Sequence, residues 1–453
     1  RVRPMDAESI VKLAMGMGFD EAVAVVRVSR WRMLRFANNE PTVFNHWTDE
    51  WASVYLTKGR RTYTFSTSNL GEGVIKAKLN EAQSLIGGLS EDPDYVPIIH
   101  QGPVTTWDSY DPRVEGTEDK VVDLVKEAID ASMSEGSVRN AGAFTYGVGE
   151  VSYSDHTGLN LRWRGTFFNL AIRAFHNDPE LSSMEALTGR RLSDIDAGSL
   201  GSRVGLMLSM AVKLPKTSVE GRFRVLMGPL VAGHLYAIIA NSWMNAYNVL
   251  HNLSPLTAKD INSKLASEGL TLVDLSSDPS RVGSEPVDFE GNQSSNVTLV
   301  ERGVLKSFIT NNRTASKLGV KSTGNAAYGW LTPSIRHLYI EPGSLKDDPQ
   351  SMFSELGSGV FVQNNWYTRF QNIREGLFST VCRDVVLLIE GGEPRYVLKG
   401  VRISDRFNTL LGNYVNSTNR PIQAYWWDMH VPSTVPYVLV DKVNITRSFE
   451  AQQ

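Results

Sequence analysis

Cysteine is nearly absent from this chain: its 453 residues include one, Cys382. No intrachain disulfide can form, and Cys-rich zinc modules, thiolate-held iron–sulfur clusters and CxxC redox chemistry are excluded with it. An excess of charge of one sign is lacking too. Lys plus Arg number 46 against 49 Asp plus Glu, a formal net charge of -3. No basic stretch stands out as a phosphate-neutralising surface, so nucleic acid is not expected as a primary partner. There is no short-period repeat, heptad array or low-complexity tract. Gly-x-Ser-x-Gly does not occur, and Gly87-Gly88 and Gly391-Gly392 lack both the strand–loop–helix setting and the Lys of a phosphate cradle. Arg1-Val2-Arg3-Pro4 leads into an amphipathic stretch instead of an apolar targeting core. The numbering begins without Met, which leaves a processed leader open.

What is present is an ordinary globular composition, 42% hydrophobic and 21% charged, in a chain long enough for two or three domains. The longest uncharged stretch, Val225 to Ala258, is long enough to raise the question of a membrane span. Pro229, His234, Asn241, Ser242, Asn245, Asn248, His251 and Asn252 interrupt it, and desolvating so many polar groups in lipid is costly. It reads as a buried helix, and no membrane association is expected.

Ala7 to Met17 carries the apolar spacing of one helical face, with Gly18 as a stop signal. Ala22–Val28, Arg32–Phe36, Ala52–Leu56 and Thr62–Phe65 read as a strand meander, and Asn69 to Ile86 returns to helix. After a Pro-containing link, Thr117 is placed to cap a helix through Met133. Val148–Tyr153 and Leu161–Phe167 flank a Gly-ending turn and read as a hairpin, and a Leu- and Ala-rich helix spans Arg190 to Val212. Beyond the link from Lys213 to Arg224, β-type segments dominate: Asn296–Val300, Val304–Thr310, His337–Ile340, Val360–Gln363, Val385–Ile389 and Tyr396–Leu398. The turns Glu301-Arg302-Gly303 and Glu390 to Glu393 separate pairs of them. The fold class is therefore α+β, an N-terminal α/β region with a strand meander and helices followed by a β-rich domain holding the uncharged helix. The expected units are 1–110, 111–220 and 221–453.

His234, in Gly228-Pro229-Leu230-Val231-Ala232-Gly233-His234, is the first position to weigh for chemistry, as a metal ligand or a base. A zinc-hydrolase helix needs a second ligand on the same face and usually a Glu beside the first. Here Leu235 follows, Ile239 lies further along, and no Asp or Glu occurs between Glu220 and Asp260. A hydrogen-bonded core histidine is the favoured reading. His430, in Trp426-Trp427-Asp428-Met429-His430, is the other candidate, against the plainer reading of an aromatic strand end. Among the eight histidines no two stand at i, i+3 or i+4. Cys382, in a β-prone run, reads as a small buried hydrophobe. Asp288 and Glu290, beside Gly291, have the composition of paired carboxylates, but a surface turn is favoured.

Several phrases in order along the chain resemble the TldD/PmbA family, once called modulators of DNA gyrase. They are Arg35-Phe36-Ala37-Asn38-Asn39-Glu40; Pro286 to Gly291; Thr298 to Lys306; Asn311 to Gly319; Ser322-Thr323-Gly324-Asn325-Ala326; Leu338 to Gly343; and Val397 to Ser404. The resemblance implies an N-terminal α/β region, a β-rich C-terminal domain and an intracellular two-subunit protease in which one partner binds metal. In the metal-binding subunit a Gly-Pro segment leads into a His-Glu-x-x-x-His helix, completed by a late Cys. On that pattern His234 matches the first His, Leu235 replaces the Glu and Ile239 the second His. Met429 and His430 stand where the late Cys is expected. The chain thus resembles the PmbA or TldE-like member, inactive alone and without a cofactor of its own. Its expected partners are a zinc-holding, TldD-like subunit and a peptide or unfolded polypeptide, in the cytoplasm. Two alternatives stay open: a homo-oligomeric structural protein on the same fold, and an independent hydrolase rebuilt around His234 or His430.

Overall fold

A computed structural model describes residues 4–448. The Arg1-Val2-Arg3 opening read above lies outside them. Helix α1 (Ala7–Gly16) starts where the Asp6 carboxylate accepts the Ser9 N–H at 3.0 Å. Strands β1 (Glu21–Ala37), β2 (Glu40–Lys58) and β3 (Arg61–Thr67) lead to α2 (Glu72–Ile86). A linking segment then reaches α3 (Glu118–Ser134), where Thr117 occupies the cap position without a side-chain cap bond. Strands β4 (Arg139–Asp155), β5 (Asn160–Phe175) and β6 (Ser182–Gly189) follow, then α4 (Ala197–Ala211). The helix expected from Arg190 thus begins later, after a strand that the sequence did not suggest.

These six strands form one antiparallel sheet in the order β3-β2-β1-β4-β5-β6. The expected division at residue 110 therefore runs through a shared sheet, because β1 pairs with β4 over fourteen positions, from Val23 with Asp155 to Phe36 with Gly142. The meander strands are also longer than read: β1 continues through Ser29, Arg30 and Trp31, where partial exposure removes the apolar alternation. The two-residue side-chain period of a strand sorts its faces. Ala22, Ala24 and Val26 meet Ile10, Ala14, Ile75 and Leu79 of α1 and α2. Val23, Val25, Val151 and Tyr153 point the other way, onto Val287 and Trp330 of the C-terminal half.

The second half has β7 (Lys216–Thr217), β8 (Gly221–Met227), α5 (Pro229–Trp243), α6 (Ala246–Leu250), β9 (Leu272–Leu275), β10 (Asn296–Glu301), β11 (Val304–Leu305), α7 (Asn312–Leu318), β12 (Leu338–Ile340) and α8 (Pro349–Leu356). It ends with β13 (Gly359–Asn372), β14 (Leu377–Glu390), β15 (Glu393–Leu398), β16 (Val401–Arg406), α9 (Phe407–Gly412), β17 (Tyr414–Ser417), β18 (Ile422–Ala424), β19 (Ser433–Val435) and β20 (Val438–Arg447). One sheet runs β11-β10-β9-β12-β19-β18 and another β13-β8-β20-β16-β14-β15-β7, in which β13 also pairs β14 and closes five strands into a ring. The turn at Arg302 and Gly303 takes positive φ at both residues, 46° and 81°, the geometry of a two-residue hairpin. The strand expected through Thr310 stops at Leu305, where its pairing with β10 ends, and the Thr310 N–H donates to the Thr323 hydroxyl at 2.8 Å instead of to a strand.

The uncharged run becomes α5 and α6. Pro229 sits at the first helical position, where its missing N–H costs nothing. All of α5 except Asn241 is buried, as expected of a helix apolar on every side. Its surroundings are β-strand residues such as Val225, Leu338, Val362 and Val440. No helix among the described residues is long and apolar enough to cross a membrane.

The halves meet over a buried polar seam. Glu285 accepts Arg27 Nη2 at 2.8 Å and also the Trp163 indole N–H. Asp155 takes the Tyr153 hydroxyl at 2.8 Å and pairs with His100 at 2.7 Å. The turn at Asp288 to Gly291 is not on the surface: Asp288 and Glu290 are 1% and 4% exposed. Gly291, at φ 73°, lies so close to Tyr153 and His100 that a Cβ would fall 2.6 Å from the Tyr153 hydroxyl. Asp288 accepts the N–H groups of Glu290, Asn292 and Ala326. Glu290 accepts the Asn312 N–H. Burial, then the neighbouring Asp288 charge, pushes the Glu290 carboxyl up to about 8.

A carboxyl with a higher pKa folded than unfolded holds its proton more tightly in the folded chain. Its contribution is therefore fully present below the ordinary glutamate range and is lost as pH rises to about 8. Glu290→Gln, which keeps an oxygen for the Asn312 N–H, is expected to flatten that loss. Urea denaturation of both proteins across this window measures the difference in slope.

Candidate functional site

The site grows from the first turns of α5. A Cβ on Gly233 would lie 2.8 Å from Met429 Cε and 3.1 Å from Ser433 Cβ, so the bare glycine backbone lets the segment from Met429 to Ser433 pack closely on the helix. That approach brings the His430 backbone N–H to 3.1 Å from Nδ1 of His234. Nδ1 must therefore be the acceptor, and the ring proton sits on Nε2, 3.0 Å from the Thr368 hydroxyl on β13. The Thr368 hydroxyl in turn meets Thr380 Oγ1 at 2.9 Å, and Thr380 donates to the Trp366 carbonyl at 3.2 Å. The donors run in one direction from His430 to Trp366. Burial, with a smaller contribution from His430, lowers the His234 pKa to about 4, so the ring is neutral at pH 7.

The structure thus brings His234 and His430 together, but through a ring nitrogen and a backbone N–H. The His430 side chain is exposed. Leu235 and Ile239, 2% and 0% exposed, lie in the hydrophobic core around α5. Zinc takes a histidine through a ring-nitrogen lone pair and requires further N, O or S donors around it. The available lone pair of His234 is engaged by an amide, and hydrocarbon fills the next two positions on the pattern. No group of three His, Cys, Asp or Glu suited to a metal occurs among the described residues. These residues do not fit a hydrolytic zinc. Cys382 is half-buried on β14, packs against the core, and has its thiol pushed up to about 12 by burial, which removes it as a thiolate nucleophile or ligand.

Sequence reasoning missed the floor and rim of this site. Gln363, Asn364 and Asn365 are consecutive, fully buried polar residues on β13. Asn365 donates to Thr380 Oγ1 at 2.9 Å, Asn364 to Asp384 at 3.0 Å and Gln363 to Ser183 at 2.8 Å. Three amides in succession after the apolar Val360-Phe361-Val362 were the available signal, since buried amides persist where each finds a partner. Past them the register of β13 against β14 slips between Trp366 and Arg369. Tyr367 takes φ 58° at this bulge, which turns its ring to solvent while Thr368 faces His234.

Models of known families match most of this architecture. The PmbA/TldA metallopeptidase C-terminal domain matches residues 220–447, and PmbA/TldA metallopeptidase domain 1 matches residues 22–84. The chain belongs to the PmbA/TldD family. A metalloprotease of Methanothermobacter thermautotrophicus is 34% identical over 178 residues, 38% of this chain and 37% of that protein. This chain therefore spans well under half the length of that relative. A metalloprotease PmbA homolog of Haemophilus influenzae is 22% identical over 420 residues, 89% and 88% of the two chains. TldE from Thermococcus kodakarensis has the same fold, with a TM-score of 0.80 at 17% identity over 97% of this chain and 99% of that one.

Two outcomes test the site's construction. Leu235→Glu, which supplies the Glu that the resemblance implies beside His234, places a carboxyl in hydrocarbon and is expected to cost about 3 kcal/mol or more of stability, read from urea denaturation. His234 is expected to stay neutral, as the Nε2–H tautomer, well below the ordinary histidine range, read from its ring nitrogen shifts in an NMR titration.

Proposed function

We propose that this chain is the non-catalytic, TldE-like subunit of a PmbA/TldD metallopeptidase that processes or degrades peptides. The observation that carries this reading is the His234 ring, both of whose nitrogens are spent on structural hydrogen bonds. Leu235 and Ile239 add hydrocarbon where hydrolysis needs a base and a second ligand. Zinc and its activated water belong, on this reading, to a metal-binding partner subunit in the same cytoplasm. This chain's part is to complete the partner's chamber and to hold extended polypeptide by strand pairing.

Mixing the purified chain with a TldD-like, metal-binding family member is expected to yield peptidase activity that neither shows alone and that a chelator abolishes. This chain by itself is expected to carry far less than one zinc per molecule by elemental analysis. Partner activity unchanged by this chain overturns the proposal. Light scattering that finds a stable homo-oligomer unaffected by the partner favours the structural alternative.

A further inference from the structure

Above His234, β13 leaves the body of its sheet. Strand β8 pairs it only at Val360, Phe361 and Val362; beyond the buried Gln363, Asn364 and Asn365 the outer edge of β13 reaches solvent from Tyr367 and has no ladder partner among the described residues, while β14 continues on the inner side. Such an edge offers backbone N–H and C=O groups to an added strand. Its side chains are unusual for a free edge. Tyr367 is 54% exposed and Phe370 37%, and Trp427, three residues before the His430 that contacts His234, is 71% exposed. The left-handed backbone at Tyr367 presents an aromatic ring to water, a conformation that non-glycine residues adopt rarely and that is concentrated at functional sites.

The rim is also cationic. The Arg369 guanidinium lies 4.8 Å from the Tyr367 ring centroid and that of Arg383 lies 4.1 Å from the Trp366 ring. The two aromatic rings touch edge to face, with centroids 5.6 Å apart. Neither arginine has a carboxylate within 4.0 Å among the described residues, although the charges of Asp384 and Asp428 act on Arg383 from farther away. Stacking fixes each guanidinium while leaving its N–H donors free for a carboxylate, which it can take in bidentate fashion.

We propose that the free edge of β13, with Tyr367, Arg369, Phe370, Arg383 and Trp427, binds an extended polypeptide segment in which acidic residues alternate with aromatic or large apolar ones. Strand pairing supplies affinity, the arginines select carboxylates, and the exposed rings cover the apolar side chains between them. This names the substrate class for the chain-holding role proposed above and rests on that reading for its meaning, but its test requires no partner subunit.

The full chain is titrated with a labelled peptide of about twelve residues alternating Glu with Phe or Leu, and with the same peptide carrying Lys for Glu, by fluorescence anisotropy. The Glu peptide is expected to bind at least about tenfold more tightly than the Lys peptide and to weaken as salt rises. Arg369→Ala and Trp427→Ala, both on exposed side chains and expected to leave Tm unchanged, should each lower affinity about tenfold. Equal binding of the two peptides overturns the proposal, as does unchanged affinity in both variants. So does a wild-type dimer in light scattering that Trp427→Ala makes monomeric without any peptide binding, which assigns the patch to a second copy. Peptide binding without activation of a metal-binding partner counts against the two-subunit reading alone. Activation without peptide binding counts against this inference alone.

Discussion

Enclosing α5 inside a shell of strands is the constraint on which the C-terminal half depends. A helix apolar on every side gains its stability from burial, and each polar group it carries must then find a fixed partner. The Asn241 side-chain oxygen accepts the Ile335 N–H at 3.0 Å, Trp243 donates to the Ile373 carbonyl at 2.9 Å, and His234 is pinned at both nitrogens. The histidine is held as a core residue is held. The same helix presents Leu235 and Ile239 to neighbouring core side chains.

A second set of interactions explains why the family phrases recur in order without forming one site. Asp274, fully buried, accepts the Arg336 and His337 N–H groups, the Ser276 hydroxyl and the Asn325 amide. Those partners come from three separate segments, at Ser276, Asn325 and Arg336-His337, and one carboxylate gathers them. His337 is tied at both ring nitrogens, to the Val282 carbonyl and the Thr434 hydroxyl at 2.7 Å each. The phrase Ser322 to Ala326 and the segment before Leu338 are thus architectural, positioning β12 beside α5. Asp288 does the same work at the seam, and the sequence pattern of a turn is correct there while its exposure is not.

How much could be read from the sequence follows from how local the determinants are. The first two helices, the hairpin at Arg302-Gly303 and the burial of the uncharged run depend on spacing and turn chemistry within a few residues, and all were legible. The burial of Leu235 and Ile239 was legible because it follows from residue identity on one uncharged helix. The length of β1 and β2 was not, since their outer parts have no apolar alternation; β1 is held by register with β4, more than one hundred residues away, and the outer part of β2 by register with β1. The same holds for the His430 N–H on His234, for the bulge that exposes Tyr367, and for the burial of Glu290. Each depends on contacts between separate segments, and two of them on a close approach at a glycine, Gly233 and Gly291.

Ring closure in the second half carries a consequence for how the polypeptide matures. Strand β8 ends just before α5, yet its antiparallel neighbour β20 is the last strand of the described chain and its parallel neighbour β13 begins more than one hundred residues after it. During synthesis α5 emerges long before the walls that enclose it, so its hydrocarbon surface stays wet until β13 and β20 have been made. Contacts so distant in sequence form slowly. A nascent chain of this kind is a natural client for chaperones that shield apolar helices on the ribosome.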